Sequence, residues 1–391
     1  MKKDERLLQG LLLAFAFCLP LSIALAEPLA FLAVPVWLYG WLRRRGSAIA
    51  RCPYAWPVLF FLAAALVSAF WGVRPLVSLA KCHRLFLLFI IFMMPAAFPP
   101  GRLDSLRRAK QAVFVFVAAC ALRGLYDVVR VPVLVGRGMS LFDTGNMRDP
   151  QLYMVALCFL LAGWGAWSRA ERRPAVVGLL ATAAGLVLHF KRGAWFSFVL
   201  AVGVLGAVAR RYKAVAAVVV CGLALLLAPQ VRERLERLRK ECSPRGGRYV
   251  LWTQVAPALL REHPAGMGLG AVRASDFRAY ARGLEPKLNH LHNNVLQVAV
   301  ELGWAGLAVW LWWMATALAV MYSTFRRAER STSPESWIAL GTLGAFCALL
   351  LNGAVEYNFG DSEVLMLYCF LMGLSCVIRG AQQAPGARAA V

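Results

Sequence analysis

Long apolar runs, separated by short polar segments, constrain the fold of this chain more than any other feature. A helix needs about 20 apolar residues to cross a bilayer. The sequence contains about twelve such runs, near residues 8–25, 28–43, 55–72, 76–98, 111–130, 151–168, 174–190, 193–209, 213–228, 293–322, 335–356 and 362–379. Because 60% of the 391 residues are hydrophobic and only 16% are charged, an ordinary soluble domain is excluded. The sequence therefore predicts an all-α polytopic membrane protein with about twelve transmembrane helices.

Lysine and arginine are concentrated at the first residues, at the end of the chain and in every second connection between the runs. Cytoplasmic loops carry an excess of these residues, so we expect both termini in the cytoplasm. The net charge is +23, and many Lys and Arg residues lie outside the segments that set the orientation. The remaining cations are scattered without a recognition fold, which favours anionic lipid headgroups or a polyanionic lipid substrate over nucleic acid.

One connection, residues 229–292 between the ninth and tenth runs, is long enough to fold. Apolar residues recur at helical spacing in Gln230–Lys240 and again in Arg248–Glu262, and the glycine-rich segment His263–Gly270 follows. We expect two amphipathic helices and a flexible loop that cap the membrane part. The predicted organisation is nine spans over 1–228, a helical loop on the outer face over 229–292, and three spans with a cytoplasmic tail over 293–391.

Several charges lie inside or at the edge of the apolar runs. Lys81 and Arg84 are three residues apart on one helix face. A charge inside a bilayer costs on the order of 3 kcal/mol or more, so it normally faces a cavity or a partner. We expect this pair to bind an anion, although Lys81 alone could extend to the headgroups. Arg123 and Asp127 are four residues apart and can neutralise each other.

Arg192 lies in a tight turn between the seventh and eighth runs. A short turn fixes its side chains, and the planar guanidinium group matches phosphate oxygens. The alternative role is an anchor at the membrane interface beside Trp195.

The segment His290-Leu291-His292-Asn293-Asn294 opens the tenth run, and Gly303-Trp304-Ala305-Gly306 follows within it. A histidine can accept a proton near neutral pH, and cations nearby disfavour its protonated form. Alternatively the histidine only caps the helix, as both asparagines can, and the glycines suit close packing of helices. His290 is a second candidate that would share a face with His292 only loosely. Without a DxD motif or a Cys/His ligand spacing, we predict no metal and no cofactor.

These motifs resemble those of the O-antigen ligase (WaaL) family, within the Wzy_C-type ligase/polymerase superfamily. His292-Asn293, nine residues and Gly303-Trp304-Ala305-Gly306 match the family signature position by position. The Arg192 turn, the Arg248 and Trp252 pair and the stretch from His263 to Gly270 are similar to the family's other motifs. One departure is Phe190-Lys191, where small residues often precede the arginine.

The resemblance implies a GT-C-type fold and a metal-independent, inverting glycan transfer at the periplasmic face. The donor would be undecaprenyl-pyrophosphate-linked O-antigen, and the acceptor a sugar hydroxyl of lipid A-core. The expected general base is His292, with Arg192 and Arg248 as catalytic cations. The other expected residues are the pyrophosphate-binding Lys81, Arg84, Lys191, Arg245 and Arg148, and the motif residues Asn293, Gly303 and Gly306.

Two other functions remain open from the sequence. An O-antigen polymerase or another lipid-linked-oligosaccharide glycosyltransferase differs in acceptor but not in chemistry. A transporter of lipid-linked glycans would need charges through the bilayer depth and inverted repeats. The cations here are concentrated at the outer side instead, so transport is the less favoured alternative.

Overall fold

The computed structural model describes residues 3–43, 52–98, 104–241, 247–281, 288–330 and 336–383, and every regular element in these residues is helical. The membrane-type helices are α1 (Lys3–Leu21), α2 (Ile23–Arg43), α3 (Ala55–Trp71), α4 (Pro75–Ala97), α5 (Asp104–Gly136), α6 (Asp149–Gly163), α7 (Arg169–Leu188), α8 (Arg192–Val208) and α9 (Tyr212–Leu225). The loop 229–292 contributes α10 (Pro229–Glu241), α11 (Gly247–Val250, Leu251–Val255 and Ala256–Glu262) and α12 (Ala274–Arg278). The chain then forms α13 (Asn294–Arg330), α14 (Ser336–Gly353) and α15 (Ser362–Gln382).

Six of these helices are long and apolar enough to cross a membrane, judged by length and composition: α2, α4, α5, α13, α14 and α15. Four shorter apolar helices, α3, α6, α8 and α9, accompany them. The chain is therefore a polytopic helical membrane protein. The predicted runs fall on helices, although the run 8–25 crosses the break at Ser22 between α1 and α2. The count of twelve crossings stays a prediction.

The centre of the bundle is formed by helices that are apolar on all sides. Helix α15 is buried at almost every position from Val364 to Ile378, and α6 is buried from Asp149 to Leu160. A helix that is hydrophobic all round belongs in the interior. Helix α9 contains no buried residue, and large apolar side chains such as Trp71 and Leu180 are exposed on other helices. The bundle thus has a packed core and an apolar surface suited to lipid.

Helix α13 is interrupted at Gly303, whose φ of 72° and ψ of −176° are not helical. The glycine-rich segment of the loop packs against this break, where Met267 N donates to Val300 O and Gly268 N donates to Glu301 O. A Cβ atom on Gly303 would lie 2.5 Å from the carbonyl carbon of Ala265. The expectation of helix–helix packing at this glycine is therefore wrong, because its close contact is with the loop.

The described parts of the loop 229–292 lie against one end of the bundle, which we call the loop face. Helices α10 and α11 occur where the apolar spacing predicted them, and the middle turn of α11, Leu251–Val255, is a π-helix. Arg74, between α3 and α4, donates to both carboxylate oxygens of Asp276 in α12, at 2.8 and 2.7 Å. The segment expected to be a flexible loop is thus held to the bundle by hydrogen bonds on both sides.

Candidate active site

His292 and Glu356 form a hydrogen-bonded pair on the loop face. Glu356 belongs to the connection between α14 and α15, and its Oε1 atom lies 2.7 Å from Nδ1 of His292. Burial alone would raise the pKa of Glu356, but the hydrogen bond from His292 and the charge of Arg248 hold this pKa below its usual range. The carboxylate is therefore ionised at neutral pH and accepts the Nδ1 proton. Nε2 of His292 is then left as the proton acceptor.

Two asparagines bring this pair together. Asn293 caps α13, since its Oδ1 accepts from Leu296 N, while its Nδ2 donates to Ala354 O. Asn294 does not act as a cap. Its side chain bonds Asn358 Oδ1, Asn358 N and Phe359 N in the connection that contains Glu356. The motif after the histidine thus fixes the position of the carboxylate.

His290 contacts His292 directly, with ring centroids 4.1 Å apart in an edge-to-face arrangement. Both residues precede α13 in an irregular turn, where His292 adopts a φ of 49°. The rings therefore meet, whereas the sequence predicted only a loosely shared face. Burial, followed by the charge of His292, lowers the pKa of His290 to about 4, so this ring is neutral at neutral pH.

Helix α11 contacts both members of the pair through the neighbouring backbone. Trp252 Nε1 donates to Leu291 O at 2.7 Å, next to His292. Arg248 donates to Val355 O and approaches Oε2 of Glu356 to 3.3 Å. Arg248, expected as a catalytic cation, is thus directly bound to the carboxylate partner of the expected base.

A cavity of about 400 Å³, which we call the α8 cavity, lies beside this pair. Lys191, Arg192 and Arg248 line it together with Glu356. Its apolar wall includes Phe196 and Leu200 of α8, which are 49% and 57% exposed. The α8 cavity therefore joins three cationic side chains to an apolar wall on the surface of the bundle.

A second cavity of about 450 Å³, the α4 cavity, lies between α4 and α13. Its polar lining includes Lys81, Arg84, His290, Gln297 and Glu301. Met147 and Glu356 line both cavities. The two spaces therefore meet at Glu356. Of the predicted pyrophosphate-binding cations, Lys81 and Arg84 line the α4 cavity and Lys191 lines the α8 cavity.

The turn that carries Arg192 rests on a buried polar cluster. His189 is fully buried, and its Nε2 donates to Asp127 Oδ2 at 2.9 Å while its Nδ1 accepts from Asn146 N. Tyr153 donates to the same Asp127 oxygen at 2.5 Å. Phe190 then turns the chain with a φ of 52°, so that Arg192 begins α8. The sequence did not indicate this support, since its members are distant in the chain.

The remaining predicted cations have other surroundings. Arg123 binds Asp149 at 2.8 Å and lies 3.9 Å from Asp127, so the predicted pair with Asp127 is the weaker contact. Arg148 pairs with Asp149 at 2.8 Å and with Glu363 at 3.6 Å. Arg245 lies outside the described residues.

Sequence reasoning missed Glu356. The available signal was an acidic residue at the last position of the predicted run 335–356, on the face predicted to carry excess cations.

Two groups of side chains have ligand atoms within 4.8 Å of one another, close enough to surround a cation. The first is His290, His292 and Glu356, and the second is Asp127, Asp149 and His189. In the first, Arg248 already contacts the carboxylate. In the second, Arg123 and Arg148 contact Asp149 and Arg130 lies 3.5 Å from Asp127. Guanidinium groups beside the acids oppose a further cation, so the absence of a metal site stays our prediction.

A family model described as O-antigen ligase matches residues 177–311, about a third of the chain. This range contains Arg192, Arg248, His292 and Gly303. Curated proteins gave no match. Residues 177–311 are thus similar to the O-antigen ligase family, which confirms the resemblance drawn from the sequence.

Proposed function

We propose that this protein is an O-antigen ligase of the bacterial inner membrane. It transfers glycan from undecaprenyl-pyrophosphate-linked O-antigen to a sugar hydroxyl of lipid A-core, with its site facing the periplasm and a GT-C-type fold around it. The observation that carries the proposal is the His292–Glu356 hydrogen bond of 2.7 Å beside the cationic α8 cavity. The family match supports the same chemistry.

The α8 cavity fits the donor. A lipid-linked pyrophosphate has a highly charged group next to a long apolar chain. Lys191, Arg192 and Arg248 supply the positive charge, and exposed Phe196 and Leu200 lead from them to the lipid-facing surface. Fixed cations stabilise the negative charge that develops on the leaving pyrophosphate.

The transfer requires one proton acceptor and one leaving group. The acceptor hydroxyl donates its proton to Nε2 of His292 while its oxygen forms a bond to the anomeric carbon. The bond between this carbon and the pyrophosphate oxygen breaks, and its electron pair leaves with undecaprenyl pyrophosphate. Glu356 stabilises the imidazolium ion through Nδ1. Attack opposite the leaving group inverts the anomeric carbon.

The test is transfer by the purified full chain in detergent, with lipid-linked O-antigen and lipid A-core as substrates. We expect activity that is unchanged by EDTA. His292→Ala should lower it about 10²–10⁴-fold, the usual contribution of a general base, while insertion and thermal stability are retained. Near-normal lipopolysaccharide ladders from His292→Ala would contradict the assignment.

The family match also admits a polymerase, which uses the same donor chemistry with a different acceptor. Deletion in the host distinguishes the two. Loss of a ligase leaves lipid-linked polymer to accumulate, whereas loss of a polymerase leaves core that carries a single repeat unit. The proposal requires the first phenotype.

A further inference from the structure

The α4 cavity differs from the α8 cavity in ways that bear on its ligand. Leu85, Leu88, Phe61 and Leu365 in its wall are each at most 8% exposed. The wall of the α8 cavity, by contrast, contains half-exposed Phe196 and Leu200. A polyprenyl chain can therefore run from the α8 cavity into lipid. The α4 cavity has no such exposed apolar wall at these four buried residues, so it suits a ligand whose bound part carries no apolar chain.

Two cations in the α4 cavity lack a matching carboxylate. Among the described residues, neither Lys81 nor Arg84 has a carboxylate oxygen within ion-pair distance. Arg84 donates one Nη1 bond to Gly360 O at 2.8 Å, and its buried Nε has no hydrogen-bond partner. A buried donor without a partner is costly, so this guanidinium group is prepared for an external acceptor.

The acids of the α4 cavity do not neutralise these cations by contact. Glu301 is 3% exposed, and its oxygens accept from Gln297 at 2.7 Å and from Tyr357 at 3.4 Å. Asp361 is exposed at the start of α15. Glu356, the third acid of this lining, is bound by His292 and Arg248 instead. Amides, carboxylates and an aromatic ring beside two cations form a lining that suits sugar hydroxyls together with one anionic group.

The α4 cavity adjoins the α8 cavity at Glu356 and Met147, and it is lined by His290, whose ring contacts that of His292. Ligands in the two cavities would therefore meet at Glu356 without competing for the same space. Transfer from a donor to an acceptor needs two such neighbouring subsites.

We propose that the α4 cavity is the acceptor subsite, and that Lys81 and Arg84 bind a phosphate or carboxylate group on the acceptor saccharide. The inference rests on the proposed transfer and removes Lys81 and Arg84 from the leaving-group site. It names the acceptor as an anionic saccharide.

Steady-state kinetics of the full chain in detergent test this assignment, with lipid A-core lacking O-antigen as the varied acceptor. Lys81→Gln and Arg84→Gln should each raise the acceptor KM roughly tenfold, the scale of one lost charge-assisted hydrogen bond, and leave the donor KM unchanged. Arg84→Lys should recover part of the affinity. His83→Gln is the matched control, since His83 lies between the two cations on α4 but is exposed. An increase in the donor KM alone, or unchanged KM values in both variants, would overturn the proposal.

Two modified acceptors identify the anionic group. Acceptor dephosphorylated with hydrogen fluoride, and acceptor with reduced carboxyl groups, are compared on wild type and Lys81→Gln. The modification that removes the true group should raise the wild-type KM to that of the variant and abolish the difference between them. If neither modification changes the wild-type KM, the anionic-saccharide assignment fails.

A donor-free binding measurement separates this inference from the proposed function. Equilibrium binding of the same acceptor to wild type and Lys81→Gln does not require turnover. If wild type binds acceptor more tightly than the variant but transfers no glycan, the proposed function fails and the cavity assignment stands. If transfer proceeds but the two proteins bind acceptor equally, the cavity assignment fails.

Discussion

A histidine acts as a base only through the ring nitrogen that lacks a proton, so the partner of the other nitrogen decides its chemistry. His292 meets this condition through Glu356, 64 residues away in the sequence. The sequence indicated the histidine, because its motif is local. It could not indicate the carboxylate, since Asn294 and Asn358 join the two segments only in the folded chain.

Glu356→Gln tests the carboxylate. The amide keeps the size of the side chain but loses the charge that stabilises the imidazolium ion, so we expect kcat to fall on the order of 10²–10⁴-fold. The acceptor and donor KM values should change little. Glu356→Asp keeps the charge on a shorter side chain, so its kcat should lie between those of wild type and Glu356→Gln. An unchanged kcat in Glu356→Gln would show that the carboxylate has no part in proton transfer.

Arg192→Lys tests the geometry of the donor site. Lysine keeps the charge but loses the planar fork, so we expect the donor kcat/KM to fall about tenfold or more. Arg261→Lys serves as a control, because Arg261 is an exposed residue of α11. Full activity in Arg192→Lys would mean that charge alone suffices at this position.

His290 should not contribute to the pH dependence of activity near neutrality. Its pKa of about 4, against an ordinary value of 6.5, keeps the ring neutral from pH 5 upwards. His290→Asn should therefore leave the acid limb of the rate profile at the same pH, whatever its effect on the maximal rate. A limb displaced by half a pH unit or more would contradict this assignment.

At the scale of the elements, the apolar runs predicted where the helices lie but not how they end. Helix α5, for example, extends over Asp104–Gly136, beyond the predicted run 111–130, because the polar turns before the run are helical and apolar residues continue the helix after it. The break in α13 was not visible either. A glycine in an apolar helix suits close packing of any kind, and only the structure shows that the neighbour of Gly303 is the loop.

Gly303→Ala tests this contact. The added methyl group would meet the backbone of Ala265, and the backbone φ of 72° is one that residues other than glycine rarely adopt. We expect the free energy of unfolding to fall by about 1–3 kcal/mol, measured by thermal or denaturant unfolding in detergent. Gly203→Ala in α8 is the control, since a Cβ there meets no atom within 4 Å. Equal stability of the two variants would mean that the loop does not hold the break.

At the scale of the whole molecule, the loop and the bundle form one site. Composition predicted a polytopic helical protein, and short motifs predicted which residues matter. The separation of Lys81 and Arg84 from Arg192 and Arg248 into two cavities was beyond the sequence, because residues distant in the chain are brought together only by the fold. Their distribution depends on how α4, α8 and α13 pack around Met147 and Glu356.

The ion pair between Arg74 and Asp276 should make the attachment of the loop pH-dependent. Burial would raise the pKa of Asp276, but the hydrogen bond from Arg74 lowers it below 3.8. A carboxyl group whose pKa is lowered in the folded chain stabilises the fold at pH values above its unfolded pKa. This stabilisation is lost as the pH falls through the folded pKa. Asp276→Asn should therefore lower the Tm by about 2–4 °C at pH 7, and the difference should shrink towards pH 3. A difference that grows on acidification would contradict this account.

Helix α11 binds the backbone beside His292 through Trp252 and the backbone beside Glu356 through Arg248. One helix therefore holds the backbone on both sides of the hydrogen-bonded pair. Because Arg248 also lines the α8 cavity, a ligand in that cavity would touch the same helix that sets the distance between the imidazole and the carboxylate.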